Sequence, residues 1–370
     1  MAAAAERRGP AIDRIEVQAF TIPTDFPEAD GTLSWDSTTI VVVHAHASGV
    51  TGLGYTYADV STAKLIETKL RAVVEGRDAM APRSAWTAMV RGIRNLGRPG
   101  IAAMAVSAVD VALWDLHARL LSAPLCRVLG SARESVPVYG SGGFTAYPDA
   151  RLQEQLGGWV QAGIPRVKMK VGSEPDRDVD RVTRAREAIG DDAELFVDAN
   201  GAYSRKQALA LVADFHEQAG VVWFEEPVSS DDLEGLRLVR DRAPAGVDIA
   251  AGEYGYDAVY FERMVHAGAV DVLQADITRC GGVTELLRAE AICRAHNLPL
   301  SLHCGPAIHV HAALALQQLR HLEYFHDHVR IEKLLFDGLP QLRDGALWPD
   351  LGCPGMGLEL RRADADAYAV

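Results

Sequence analysis

"RVKMKVG", residues 166–172, alternates apolar and cationic side chains and then breaks at a glycine. Strict alternation marks a β-strand whose successive side chains point to opposite faces. Val167, Met169 and Val171 share one face; Lys168 and Lys170 share the other. Two adjacent ammonium groups repel each other and gain nothing from burial, so the pair needs a reason outside its own strand.

Similar short apolar cores recur along the chain. They are "VPVYG" (136–140), "ELFVDANG" (194–201), "VVWFEEP" (221–227), "VDIAAGE" (247–253), "VDVLQAD" (270–276), "LPLSLHCG" (298–305) and "HLEYFH" (321–326). With "RVKMKVG" they make eight strands, and amphipathic helical patterns separate most neighbours. Strand–helix repetition predicts a parallel sheet, and eight units predict a closed barrel over residues 131–345 rather than an open sheet. No GxGxxG follows the first strand, which weakens a dinucleotide-binding alternative. Before the barrel, "IDRIEVQAFTIP" (12–23) and "TTIVVVHAHA" (38–47) read as strands, and "SGVTGLGYTY" (48–57) as a glycine-punctuated turn entering another. Helical patterns follow to about residue 129, giving an α+β unit over residues 1–130. The segment 346–370, Gly/Pro-rich and then charged, is expected to pack back on that unit.

The bulk composition sets limits. A net charge of −13 argues against a general nucleic-acid binder, which needs a basic surface for phosphates. The five cysteines are scattered with no CxxC pair, which suits neither a disulfide framework nor a zinc site and fits a reducing cytoplasm. "MAAAAERRGP" lacks the apolar run of a signal peptide, and no stretch reads as a membrane span. A cytoplasmic protein is expected.

In a barrel of this type the C-terminal strand ends converge on the active site. Successive strands place there Lys168 and Lys170, Asp198 and Asn200, Glu225 and Glu226, Glu253, Asp276, His303 and Glu323. Any one of these could be a turn or cap residue; a whole ring of them is harder to explain that way. Carboxylates buried side by side are costly unless a cation neutralises them, and an all-oxygen donor set suits a hard divalent ion. Asp198, Glu225 and Glu253 are the nominated ligands of one Mg²⁺. A lysine beside that ion and a second lysine is expected to have a lowered pKa, as a base requires. His303, held by Asp276, would stand on the opposite rim. A carboxylate substrate between them could lose its α-proton to one base, with the metal steadying the charge that develops.

The pattern resembles the enolase superfamily, and within it the mandelate racemase group. "RVKMKVG", "DANGAY", "FEEPV", "AGE", "QADITRCGGVTE" and "SLHCG" are similar to that family's motifs, and "ALWDLHARLLSAPLCRVLG" to the helix linking its two domains. The resemblance implies a (β/α)7β barrel with an N-terminal α+β capping domain. It also implies Lys170 as the base, Lys168 near the substrate carboxylate, a His303–Asp276 dyad, and Glu323 as a hydrogen-bonding partner of that carboxylate. A homo-oligomer acting on a small carboxylic acid, away from nucleic acid and membrane, is expected.

The shared half-reaction has several outcomes. Dehydration of an acid sugar is the favoured reading, with racemisation or epimerisation and cycloisomerisation as alternatives. A non-catalytic ligand-binding barrel is the alternative from another class, and two opposed bases argue against it. Specificity is expected from "FTIPTDFPEADGTLSWDSTT" (20–39), read as a mobile loop bearing Asp25, Glu28, Asp30, Trp35 and Asp36, and from Tyr55 and Tyr57 on a second loop. Asn200, Asp25, Trp35 and Tyr55 are the nominated substrate contacts. His309 and His311 are as readily structural as functional.

Overall fold

A computed structural model describes residues 9–370. Most of the N-terminal stretch examined for a signal peptide lies outside these residues.

Three antiparallel strands come first: β1 (Arg14–Ala29), β2 (Ser34–Ala47) and β3 (Val50–Tyr57). The segment expected to be a mobile loop is thus the far end of a long β1–β2 hairpin. The ladder is broken in the middle. From Pro23 to Glu28, β1 advances five positions while β2 moves only two, from Ser37 to Trp35. The extra residues bulge out of the pairing, as an insertion into one strand must.

The "GLGY" glycines also have a different use from the one expected. Gly52 and Gly54 lie within β3, where a β-carbon would come 2.4 Å from the carbonyl oxygens of Ala112 and Ala108. Their bare backbone lets β3 lie flat on the helix Ile101–Leu120. By length and composition that helix could cross a bilayer, contrary to the sequence reading, yet 83% of its apolar window is buried inside the protein. It packs between the cap sheet and the barrel. Trp114 Nε1 donates to Thr284 Oγ1 at 2.9 Å, and Thr284 donates to Asp110 at 2.8 Å.

The barrel strands are β4 (Val136–Gly142), β5 (Arg166–Lys170), β6 (Glu194–Asp198), β7 (Val221–Glu225), β8 (Asp248–Ala251), β9 (Val272–Ala275), β10 (Leu300–Leu302) and β11 (Leu319–Phe325). Each pairs in parallel with the next, and β11 pairs back to β4, closing the ring. A helix connects each strand to its successor. Period-two alternation then assigns the faces. Val167, Met169, Leu195 and Val197 point outward into the main hydrophobic core beneath the helices. Tyr139, Phe196 and Trp223 point inward and, with His321, fill the barrel's middle; Phe196 and Trp223 stack at 5.2 Å. Residues two positions further along the same faces form the layer above that floor.

The chain's end returns to the cap. Leu125 N donates to Gly355 O at 2.8 Å, and Val370 N donates to Ala19 O at 3.1 Å.

Candidate active site

Register builds the site. Lys168 lies opposite Phe196, Lys170 opposite Asp198, and Asp198 opposite Glu225. Lys170, Asp198 and Glu225 therefore stand side by side at the ends of three successive strands. Lys168 is wholly buried, with Nζ 2.6 Å from Glu225 Oε1, 2.9 Å from Glu323 Oε1 and 3.5 Å from Asp198 Oδ2. Lys170 Nζ sits 2.5 Å from Asp198 Oδ2. His303, just beyond β10, has Nδ1 2.8 Å from Asp276 Oδ2, while Nε2 lies 3.3 Å from Glu253 Oε2. The Asp276 contact places the ring proton on Nδ1 and leaves Nε2 facing the cavity.

The donor set fits a hard cation. Asp198, Glu225 and Glu253 are buried, with one oxygen of each within 4.8 Å of the others, and Glu253 Oε2 accepts no hydrogen bond. Glu225 is pushed up to about 8 by burial and then by the Asp198 charge, even though Lys168 touches it. Negative charge is in surplus here, and a divalent ion would relieve it.

Above these residues lies a cavity of about 350 Å³, lined by Lys170, His303, Glu323, Glu253 and Asn200 from the barrel and by Trp35 and Tyr57 from the cap. Lys170 and His303 enter from strands three steps apart around the ring, counted β10–β11–β4–β5. The volume suits a small molecule.

Family models place the chain. Residues 14–130 match the mandelate racemase / muconate lactonizing enzyme N-terminal domain, and residues 151–365 the enolase C-terminal domain-like family. The crystal structure of a mandelate racemase/muconate lactonizing enzyme-like protein from Rubrobacter xylanophilus is 59% identical, with a TM-score of 0.96 over 98% of this chain and 100% of that one. The chain belongs to the enolase superfamily, in its mandelate racemase/muconate lactonizing enzyme group.

Two relatives of known reaction are more distant. A 3,6-anhydro-alpha-L-galactonate cycloisomerase of Streptomyces coelicolor is 35% identical over 84% of this chain and 88% of its own. The L-talarate/galactarate dehydratase of Salmonella typhimurium, solved with Mg and L-lyxarohydroxamate, is 27% identical with a TM-score of 0.90 over 100% of this chain and 95% of that one.

Within this superfamily member, the readings of Tyr55, Tyr57 and Asp25 need correction. Tyr55 does not reach the cavity. It is fully buried, stacks on Phe336 and donates its hydroxyl to Glu332 Oε1 at 2.6 Å. Tyr55 and Tyr57 share a face of β3 and both meet the helix His326–Leu335, Tyr57 at His328 and Tyr55 one turn deeper. Only Tyr57 lines the rim, and it does so from a strand rather than a loop.

Asp25 is also displaced. It lies in the β1 bulge and pairs with Arg151 at 3.1 Å and His326 at 3.1 Å, clasping the hairpin to the barrel outside the cavity.

The lysines are surrounded by carboxylates. Burial lowers the Lys170 pKa and Lys168 opposes its charge, but the facing Asp198 carboxylate prevails and the net direction is upward. Lys168 is likewise held up by Glu225 and Glu323 against the cost of burial. An ion on Asp198 and Glu225 would compete for those same charges, which is the arrangement the expectation assumed. His303 is raised as well: burial lowers it, but the Glu253, Asp276 and Glu323 carboxylates outweigh that.

Several cavity residues escaped the sequence reading, Arg279 the most consequential. Arg279 Nη1 contacts Glu253 Oε1 at 3.2 Å, its Nε lies 3.7 Å from Asp276 Oδ2, and the guanidinium covers the Tyr254 ring. It braces a proposed metal ligand against the histidine's partner. Its only sequence signal is its place three residues after Asp276. His309 proves structural: its Nε2 accepts from Ile277 N at 2.8 Å, behind the dyad.

Proposed function

We propose that the protein is a Mg²⁺-dependent enzyme that removes the proton α to the carboxylate of an acid sugar and then eliminates the β-oxygen, as a dehydratase. The observation that carries this reading is the pair formed by Lys170 and the Asp276-oriented His303, both facing one small cavity beside three clustered carboxylates.

Asp198, Glu225 and Glu253 would hold the ion. When bound, it supplies positive charge against the substrate carboxylate as that group takes up the electrons of the broken C–H bond. Lys170 takes the α-proton, and Lys168 keeps Glu323 ionised and in place at 2.9 Å. His303, as imidazolium on Asp276, gives its Nε2 proton to the departing β-oxygen. The C–O electrons leave with that oxygen, water departs, and the resulting enol tautomerises to a 2-keto-3-deoxy acid. The solved Salmonella dehydratase, with Mg and a sugar-acid analogue bound, supports the reading.

A second reading has its own support. If the β-oxygen belongs to a ring, the same steps open the ring, and the relative at 35% identity is named as a cycloisomerase. Incubation with a panel of acid sugars and Mg²⁺ in deuterated water tests both by mass spectrometry. Loss of water marks dehydration, and a mass-neutral product marks isomerisation. Undiminished turnover in EDTA, or neither product nor α-deuterium with any acid, would count against the proposal.

A further inference from the structure

The cavity has two chemically different ends. At the barrel end Lys170 and Arg279 stand among the carboxylates Glu253 and Glu323, Arg279 fixed to Glu253 by contacts of 3.2 and 3.3 Å. Among the described residues, the cap contributes no lysine, arginine or histidine to the lining. It contributes two carboxylates instead, Asp30 and Asp59. Both are held in position by local turns, Asp30 accepting from the backbone of Thr32 and Leu33 and Asp59 from that of Ser61.

Three cap hydroxyls add to the asymmetry, because each already donates its proton within the protein. Ser37 Oγ donates to Asp36 at 3.2 Å, Thr38 Oγ1 to Asp327 at 2.5 Å, and Tyr57 OH to the His328 carbonyl at 3.4 Å. Each hydroxyl therefore offers lone pairs to a ligand. His328, on the barrel side of the rim, uses Nδ1 to accept from Gly305 N at 3.2 Å, which leaves Nε2–H as a neutral donor. The far end of the cavity is rich in acceptors and carries negative charge.

We infer that the substrate is a monocarboxylic sugar acid, open or cyclic, whose end remote from the reacting carboxylate carries hydroxyls, and not a dicarboxylic one. The inference rests on the proton-abstraction reading above and adds to it the substrate class. A hydroxyl donates to Ser37, Thr38 or Tyr57 and meets no charge conflict. A second carboxylate is acceptor-only. It would face Asp30 and Asp59 with no cation within the rim, and like charge across a recognition surface is strongly disfavoured. Ser37, Thr38 and Asp30 become specificity-determining residues by this account.

The test compares matched pairs of five- and six-carbon acids that differ only in whether the terminal carbon is an alcohol or a carboxylate. Each pair is assayed with Mg²⁺ for α-deuterium incorporation and for kcat/KM. The monoacids should be preferred by about 100-fold or more. Ser37→Arg, which sets a guanidinium in the rim, should shift the diacid-to-monoacid ratio at least tenfold toward the diacid. Diacids processed as well as or better than their partners would overturn the inference and leave proton abstraction standing. So would a ratio unmoved in a folded Ser37→Arg protein. Neither exchange nor product with either class would overturn the proton-abstraction reading itself, and this inference with it.

Discussion

Nζ of Lys170 lies 2.5 Å from Oδ2 of Asp198, its register partner across β5 and β6. The candidate base and a candidate metal ligand thus share one carboxylate. A divalent ion held there and the ammonium would repel each other through it. Lys170→Met should abolish turnover while tightening Mg²⁺ binding by about tenfold, measured by calorimetry. Unchanged or weaker binding would separate the two groups.

The correction at Tyr55 can be tested in the same terms. Tyr55→Phe deletes the hydroxyl that donates to the buried Glu332 carboxylate, at a cost of about 1–3 kcal/mol in stability. The order of preference among substrates should stay as in the parent enzyme. Trp35→Ala, which removes a cavity wall packed on Phe144, should instead raise KM, and it also costs stability because buried Glu28 loses its Nε1 donor. A reordered substrate ranking in Tyr55→Phe would restore that residue to the site.

Glu28 gives the cap a pH dependence. Its side chain is buried, Trp35 Nε1 donates to Oε2 at 2.8 Å, and Oε1 has no partner. Burial, reinforced by the Asp327 carboxylate, pushes it up from 4.5 to about 9. The folded protein therefore keeps a proton that the unfolded chain has released. This contribution to stability is complete below about 4.5 and is lost as pH rises toward 9. Glu28→Gln keeps an acceptor for Trp35 and removes the titration. Its thermal midpoint should fall less between pH 6 and pH 9 than the parent's. Parallel curves would show that Glu28 titrates normally.

The barrel and its ring of acids were legible because both are written in short-range pattern. Alternation in "RVKMKVG" fixes which residues share a face, and each βα unit repeats the placement at the next strand end. What depended on depth or register was not legible. Tyr55 and Tyr57 have the same parity, and nothing in a period of two says which meets the buried turn of the helix His326–Leu335. Asp25 follows Pro23 into a bulge whose size depends on the partner strand. The charge around the lysines is only half legible for a related reason: alternation reveals the neighbouring ammonium, but the carboxylate facing it comes from another strand. Arg279 belongs to no repeating pattern, and only the fold carries it to Glu253.

The two-base arrangement makes the sharpest demand. Lys170 comes from β5 and His303 from the end of β10, and both line the cavity that would hold the α-carbon. His303→Asn removes the acid while leaving Lys170 and the three carboxylates in place. If the substrate's α-proton faces Lys170, that variant should still exchange it with solvent deuterium, while product formation falls about 10²-fold or more. Lys170→Ala should then lose exchange and product together. If the proton faces His303, the two phenotypes should trade places. Asp276→Asn provides the control on orientation: it leaves the imidazole present but replaces the acceptor that now lies 2.8 Å from Nδ1, so its product formation should fall with that of His303→Asn. Near-normal turnover in a folded His303→Asn protein would mean that one base performs the whole reaction, and the pairing of the two rims would fail with it.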